Sequence, residues 1–81
     1  MRGWHYSPKR KAIAAEYVMK DFKAAVRAVR KIAAAAEKMD HHPDLHLTRY
    51  KRLEVVLTTH DAGGVTRRDF RLAKRIHGLL S

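Results

Sequence analysis

The segment from residue 20 to residue 38 constrains the fold of this chain more than any other feature of the sequence. Apolar side chains recur there at steps of three and four, the spacing of one buried face of an α-helix. The predicted buried face consists of Phe22, Val26, Val29, Ile32 or Ala33, and Ala36. Asp21 lies near the start, where a carboxylate suits the helix dipole. The helix must end before Pro43, because a proline keeps the preceding residue, His42, out of the α region.

Segments on both sides of this helix have the character of strands. Before it we predict a hairpin, with strands near residues 3–7 and 12–18 and a turn that contains Pro8. After it we predict strands over residues 45–50 and 53–59, since apolar residues alternate with polar ones there. The last strand has two distinct faces, one with Leu53, Val55 and Leu57 and the other with Glu54, Val56 and Thr58.

A second helix is predicted at the C-terminal end of the chain. Asp61-Ala62-Gly63-Gly64 indicates a turn, because glycine permits positive φ. Thr66-Arg67-Arg68-Asp69 then matches a capping box of the Thr-x-x-Asp type, which opens a helix. Its predicted apolar side consists of Phe70, Ala73, Ile76 and Leu80. The order β-β-α-β-β-α predicts an α+β fold, a four-stranded antiparallel sheet with helices packed on one face.

Length and charge limit the classes of protein that fit. With 81 residues, we expect a single domain over 1–81, and a core this small gives a reason for association between subunits. The formal charge of +10 makes nucleic acid a partner to be tested. No apolar run reaches the ~20 residues of a transmembrane helix, and no secretory signal opens the chain. We therefore expect a cytoplasmic protein without a membrane partner.

Three residue types are missing from the chain, namely Cys, Asn and Gln. The lack of cysteine excludes disulfides, thiolate metal sites and cysteine nucleophiles. Depletion of thermolabile residues is typical of heat-adapted proteins. A codon bias toward Ala and Arg would leave a similar signature, so both explanations stay open.

Histidine is the residue type that best indicates chemistry. Four of the six histidines lie between His41 and His60, and imidazole titrates near pH 6.5, which suits proton transfer at neutral pH. The alternative is a metal site, with candidate ligands His41, His42, Asp44, His46 and His60. The spacing speaks against a metal, because adjacent histidines diverge and Pro43 prevents His42 and His46 from sharing a helical face.

Two carboxylates have both a structural and a functional interpretation. Asp69 is accounted for as the last member of the capping box, and this is the favoured explanation. Glu37 lies near the C-terminal end of the first helix, where a negative charge opposes the dipole. That position favours a specific partner for Glu37, such as a histidine.

The combined pattern resembles one known family. Glu37, His41-His42-Pro43, Tyr50, His60 and Asp69 occur in order, within the segments AAAEKMDHHPDL and LTTHDAGGVTRRDFRLAKRI. This is similar to the pterin-4a-carbinolamine dehydratases over roughly residues 3 to 80. Family members commonly carry a further helix before the first hairpin, and we expect a domain without that helix here. They also often have an aromatic residue where Leu45 stands here, and leucine has no ring to stack on a substrate.

The resemblance implies a β-β-α-β-β-α hydro-lyase that uses neither a metal nor a cofactor. Such an enzyme removes water from 4a-hydroxytetrahydropterin to give the quinonoid dihydropterin, in the recycling of tetrahydrobiopterin. His41 and His60 would transfer protons at the departing hydroxyl, and His42 would bind and orient the pterin. The implied supporting or substrate-binding residues are Glu37, Asp40, Thr58, Thr59 and Asp69.

The resemblance also bears on partners. The family is usually dimeric or tetrameric, so a homodimer or homotetramer is expected. The alternative function is a basic nucleic-acid-binding or transcription-adaptor protein, which the cations of the N-terminus and both helices would support. Few aromatic residues lie among these cations, and no recognition helix or stacking platform is evident. We therefore expect a pterin substrate rather than a nucleic-acid partner.

Overall fold

A computed structural model describes residues 3–80 of the chain. Its elements are β1 (His5–Ser7), β2 (Ala12–Val18), α1 (Phe22–Met39), β3 (Asp44–Thr48), β4 (Arg52–Leu57), a 3₁₀ turn (His60–Ala62) and α2 (Arg67–Leu80). The order β-β-α-β-β-α is confirmed. Within residues 3–80, no helix combines the length and the apolar character needed to cross a membrane.

The four strands form one antiparallel sheet in the order β1-β2-β4-β3. The central strand β4 pairs with β2 on one side, where Val55 faces Ala15, and with β3 on the other, where Val55 faces Leu45. α1 therefore connects β2 to a strand that lies beyond β4. This connection brings the end of α1 close to the end of β4.

The core lies between one face of the sheet and both helices. Leu53, Val55 and Leu57 of β4 are fully buried on this face, as the alternation of that strand predicts. Their helical partners in the same cluster include Ile32 and Ile76. On the opposite face of the sheet, a small second cluster contains Ala12, Ala14 and Val56. The prediction of helices on one face is confirmed.

The buried face of α1 differs from the predicted one. The helix buries Ala25, Ala28, Ile32, Ala35 and Ala36. Phe22 and Val26 were expected inside but are 54% and 39% exposed, and Ala33 is exposed as well. The reason is steric: a stripe of alanines lets the helix backbone lie close to its neighbours, whereas the periodicity argument follows the largest side chains.

A similar correction applies to α2. This helix buries Asp69, Leu72, Ala73 and Ile76, so Ala73 and Ile76 lie where predicted. Phe70 was expected on the apolar side but is 54% exposed. The buried face includes Asp69, and successive residues of an α-helix are rotated by about 100°, so the side chain of Phe70 lies toward the solvent.

The ends of α1 agree with the sequence. The side chain of Asp21 accepts a hydrogen bond of 2.8 Å from the N–H of Ala24, so Asp21 is the N-cap. The helix ends at Met39, four residues before Pro43. The next residue, Asp40, has φ 50° and ψ 45°, the left-handed conformation that reverses the chain.

Tyr17 links three parts of the molecule. Its hydroxyl accepts a hydrogen bond of 2.9 Å from the indole N–H of Trp4, and it lies 3.0 Å from Nδ1 of His77. These contacts join the segment before β1, strand β2 and the end of α2. Burial raises the pKa of the Tyr17 phenol above its ordinary value, an effect that the Trp4 hydrogen bond partly offsets.

We expect Tyr17→Phe to destabilise the fold by about 1–2 kcal/mol, because the half-buried indole N–H of Trp4 loses its acceptor. Urea unfolding of the variant measures this loss, with Tyr6→Phe as the control because Tyr6 is exposed. Since the pKa of Tyr17 is raised in the folded protein, its stabilisation is present below about pH 10 and is lost as the pH rises further. Equal unfolding midpoints for the two variants would contradict the assignment.

Candidate active site

One cavity of about 260 Å³ collects most of the candidate residues. It lies between the exit of α1 and the connection from β4 to α2. Its lining consists of Asp40, His41, His42, Thr58, Thr59, His60, Asp61 and Arg68. Two segments that are far apart in sequence thus supply the walls of a single site.

The exit of α1 presents two consecutive histidines in different directions. The N–H of His41 bonds to the carbonyl of Ala36 at 3.1 Å, and the N–H of Asp40 to that of Glu37 at 3.2 Å, which together form a Schellman motif. His41 is 7% exposed, whereas the side chain of His42 is 59% exposed. The divergence expected of adjacent histidines is confirmed.

Asp69 is fully buried and holds the inner histidine. One carboxylate oxygen lies 2.5 Å from Nε2 of His41. The other accepts hydrogen bonds of 2.8 Å from the hydroxyl of Thr59 and from the N–H of Thr66. Because a carboxylate only accepts hydrogen bonds, Nε2 of His41 is the donor. Asp69 therefore caps α2, as predicted, and also fixes the tautomer of His41.

The capping box of α2 is formed in part only. Thr66 offers its N–H to Asp69, which is one half of the motif. Its hydroxyl lies 2.8 Å from the hydroxyl of Thr59 instead of capping the helix. Since the Thr59 hydroxyl donates to Asp69, Thr66 is the donor to Thr59. The motif thus extends the hydrogen bonds around Asp69 to the end of β4.

Glu37, near the end of α1, has the kind of partner that its position favoured, a histidine, and this histidine is His42. Its Nε2 lies within hydrogen-bond distance of Oε2 of Glu37. Both side chains are exposed, at 59% and 74%, so solvent screens this pair strongly. The pair orients an imidazole that the solvent can reach.

His60 is held by the backbone. It opens the 3₁₀ turn His60–Ala62, which Gly63 ends at φ 70°. Two hydrogen bonds close the loop, from the N–H of Thr59 to Gly64 at 3.0 Å and from the N–H of Gly64 to Thr59 at 3.3 Å. The predicted turn at residues 61–64 therefore includes His60 and presents its exposed ring at the cavity.

The structure places the predicted site residues near one another. Six of the eight line the cavity. The other two, Glu37 and Asp69, bond to His42 and His41. Two lining residues were not predicted, Asp61 and Arg68, although Arg68 belongs to the same four-residue motif as Asp69.

The remaining metal-ligand candidates do not complete a site. His46 and Asp44 of β3 lie outside the cavity lining. Across residues 3–80, no group of three or more His, Cys, Asp or Glu side chains is arranged to hold a metal ion. The arrangement is instead that of paired imidazoles and carboxylates, which suits acid–base chemistry.

Three larger cavities lie elsewhere on the surface, two of about 500 Å³ each and one of about 420 Å³. One is lined by Arg71, Lys74 and Arg75 of α2 together with Gly78 and Leu79. The second is mainly aromatic and contains a single histidine, His5. The third is lined by Phe22, Val26 and cations of α1. None of these three pairs an imidazole with a carboxylate, so the cavity of about 260 Å³ is the candidate active site in spite of its size.

Comparison with known families decides the relationship. The sequence model of the family described as pterin 4 alpha carbinolamine dehydratase matches residues 1–79. The chain belongs to this family. It is accordingly a pterin-4a-carbinolamine dehydratase in activity, which makes it a hydro-lyase.

Individual relatives support this membership. A protein of Rhodopseudomonas palustris assigned to the pterin-4-alpha-carbinolamine dehydratases is 49% identical over 95% of this chain and 75% of its own. One from Sulfurisphaera tokodaii, with the same assignment, is 44% identical over 100% of this chain and 84% of its own.

Solved structures agree with these sequences. A transcriptional coactivator/pterin dehydratase from Brucella melitensis superposes with a TM-score of 0.92 at 34% identity, covering 100% of this chain and 85% of its own. A pterin dehydratase-like RuBisCO assembly factor of the α-carboxysome shares the fold, with a TM-score of 0.81 at 15% identity over 99% and 92% of the two chains.

The burial of Asp69 predicts a large cost in stability when its charge is removed. We expect Asp69→Asn to lower the free energy of unfolding by about 3 kcal/mol, because the buried hydrogen bonds to His41, Thr59 and Thr66 lose their charged acceptor. Asp61→Asn is the matched control, since Asp61 is exposed and lines the same cavity. Urea unfolding of both variants measures the difference, and equal midpoints would contradict the role of Asp69.

Proposed function

We propose that the cavity binds 4a-hydroxytetrahydropterin and that His41, His42 and His60 catalyse its dehydration. The observation that carries this proposal is the convergence of three imidazoles on one small cavity, two of them paired with carboxylates. A volume of about 260 Å³ is slightly below the roughly 300–1,000 Å³ of pockets for drug-sized ligands, which suits a single bicyclic ring system.

The reaction requires only the movement of protons. In the carbinolamine, a hydroxyl and a ring nitrogen are bonded to the same carbon. The carbon–oxygen bond breaks as the hydroxyl accepts a proton and leaves as water, and a carbon–nitrogen double bond forms as the nitrogen loses its proton. One proton is delivered and one is removed, so the enzyme returns to its starting state. The quinonoid dihydropterin that results is ready for reduction in cofactor recycling.

His41 is suited to proton transfer because its orientation is fixed. Asp69 keeps the proton of Nε2 in place, which leaves Nδ1 as the nitrogen that gains and loses a proton. His60 faces the same cavity from the connection between β4 and α2. We assign the proton transfers at the departing hydroxyl to these two residues.

His42 is suited to binding the pterin. It is exposed at the cavity wall, and Glu37 restricts the rotation of its ring. Thr58 and Thr59 offer backbone groups at the end of β4, where they face the edge of a bound ring, and Asp40 adds a further polar group to the wall. The hydroxyl of Thr58 donates to the carbonyl of Lys11 at 2.8 Å, which steadies this edge.

Replacement of His41, His42 or His60 by Ala should slow dehydration. For a residue that transfers a proton, the expected loss in rate is about 10²–10⁴-fold. Stopped-flow measurement of 4a-hydroxytetrahydropterin dehydration, corrected for the uncatalysed rate, gives the effect. For His42, which binds the substrate, part of the loss should appear as a raised KM.

His46→Ala is the control for these variants, because His46 is exposed on β3 and does not line the cavity. We expect its rate to equal that of the wild-type protein. Unchanged rates in the His42 and His60 variants would overturn the assignment of the site.

We further propose that the protein acts as a homodimer or homotetramer. Phe22 and Val26 lie one turn apart on α1 and are 54% and 39% exposed, so a second subunit packed on this helix would bury both side chains. A core of this size also gains from contact with a second subunit. Light scattering at micromolar concentration tests the proposal, and a monomer would contradict it.

A further inference from the structure

Arg68 lines the cavity, and its side chain makes a hydrogen bond to which the proposed mechanism assigns no role. It lies in the first turn of α2, directly before Asp69, and its side chain reaches across to the exit of α1. There its Nη2 donates a hydrogen bond of 2.8 Å to the backbone carbonyl of Asp40. Asp40 is the residue in the left-handed conformation from which His41 and His42 emerge.

The conformation of Asp40 makes this contact significant. A non-glycine residue in the left-handed region is strained by roughly 1–2 kcal/mol, although Asp tolerates it better than most residues. The strained residue determines the directions of the two histidines that follow. A hydrogen bond to its carbonyl therefore stabilises the turn at the point where a small rotation would move both imidazoles.

Consecutive residues of α2 hold consecutive residues at the end of α1. Asp69 bonds to the imidazole of His41 from the buried side, and Arg68 bonds to the carbonyl of Asp40 from the exposed side. His60 lies on the segment that leads into α2. These two contacts fix the distance between the His41–His42 turn and the loop that carries His60.

We infer that Arg68 is a positioning residue for the dehydration, acting through Asp40 on His41 and His42. This inference rests on the proposed function of the cavity. Catalytic groups must lie within about 2.6–3.2 Å of the proton that they move. A misplacement of about 1 Å can cost 100-fold in rate, so a partial loosening of the turn should be visible in kcat.

The test compares Arg68→Met, which keeps the aliphatic stem but has no donor, with Arg67→Met. Arg67 is the exposed neighbour in the same turn of α2, so both variants lose one positive charge from the same place. We expect Arg68→Met to lower kcat by about tenfold with a smaller change in KM, since the turn is loosened and the binding groups remain. Arg67→Met should match the wild-type protein.

Arg68→Lys supplies the rescue, because an ammonium group also donates to a carbonyl. We expect its kcat to recover to within about threefold of the wild-type value. A kcat for Arg68→Met equal to that of Arg67→Met would overturn the inference. So would a lysine variant no faster than the methionine variant.

A second measurement separates this inference from the proposed function. The backbone amide resonances of His41 and His42 should shift in Arg68→Met and stay in place in Arg67→Met, whatever the substrate. If the wild-type protein fails to accelerate dehydration, the proposed function is wrong, and the resonances still decide whether Arg68 positions the turn. Unshifted resonances in Arg68→Met would refute the positioning role.

Discussion

The buried carboxylate of Asp69 is the interaction on which the site depends. An ionised group taken out of water costs several kcal/mol unless it is paired and hydrogen-bonded. Here the hydrogen bonds come from three different elements: the end of β4 through Thr59, the start of α2 through Thr66, and the exit of α1 through His41. These elements must meet in one arrangement for the carboxylate to be satisfied. The same arrangement orients His41 and brings the walls of the cavity together.

His42 and His60 are exposed, and backbone hydrogen bonds restrict their positions as burial restricts that of His41. His42 follows a Schellman motif and precedes Pro43, while His60 opens a short turn closed by two hydrogen bonds between Thr59 and Gly64. Both turns depend on a residue with positive φ, Asp40 in one and Gly63 in the other. Such turns cost conformational freedom but allow little motion. A domain of this size can therefore hold exposed groups in place without burying them.

Periodicity and turn chemistry predicted the order of the elements because these signals are local. The inward face of β4 and the place of Asp21 near the start of α1 follow from side chains a few residues apart. The buried face of α1 was missed because close packing there selects alanines, so Phe22 and Val26 are left outside. Local reasoning gave Asp69 its capping role, whereas its supporting role at the site was implied by the family resemblance and not by the neighbouring residues. Its capping role is complete within four residues, and nothing local shows that His41, 28 residues away, shares the same carboxylate.

The net charge of +10 is distributed unevenly, because several of the few carboxylates are paired at the site and on the sheet. Within residues 3–80, Glu37 and Asp69 are paired with histidines at the site, and Glu16 and Glu54 are paired with Arg52 and Arg10 on the sheet. The cations of the two helices are exposed, and among the described residues no ion pair joins them to a carboxylate, which favours solubility. Arg68 differs from them because its guanidinium donates to the backbone carbonyl of Asp40, a residue in the left-handed conformation at the cavity. Most of the positive surface charge therefore keeps the helices solvated. Arg68 contributes to the chemistry as well, because it holds the backbone from which His41 and His42 emerge.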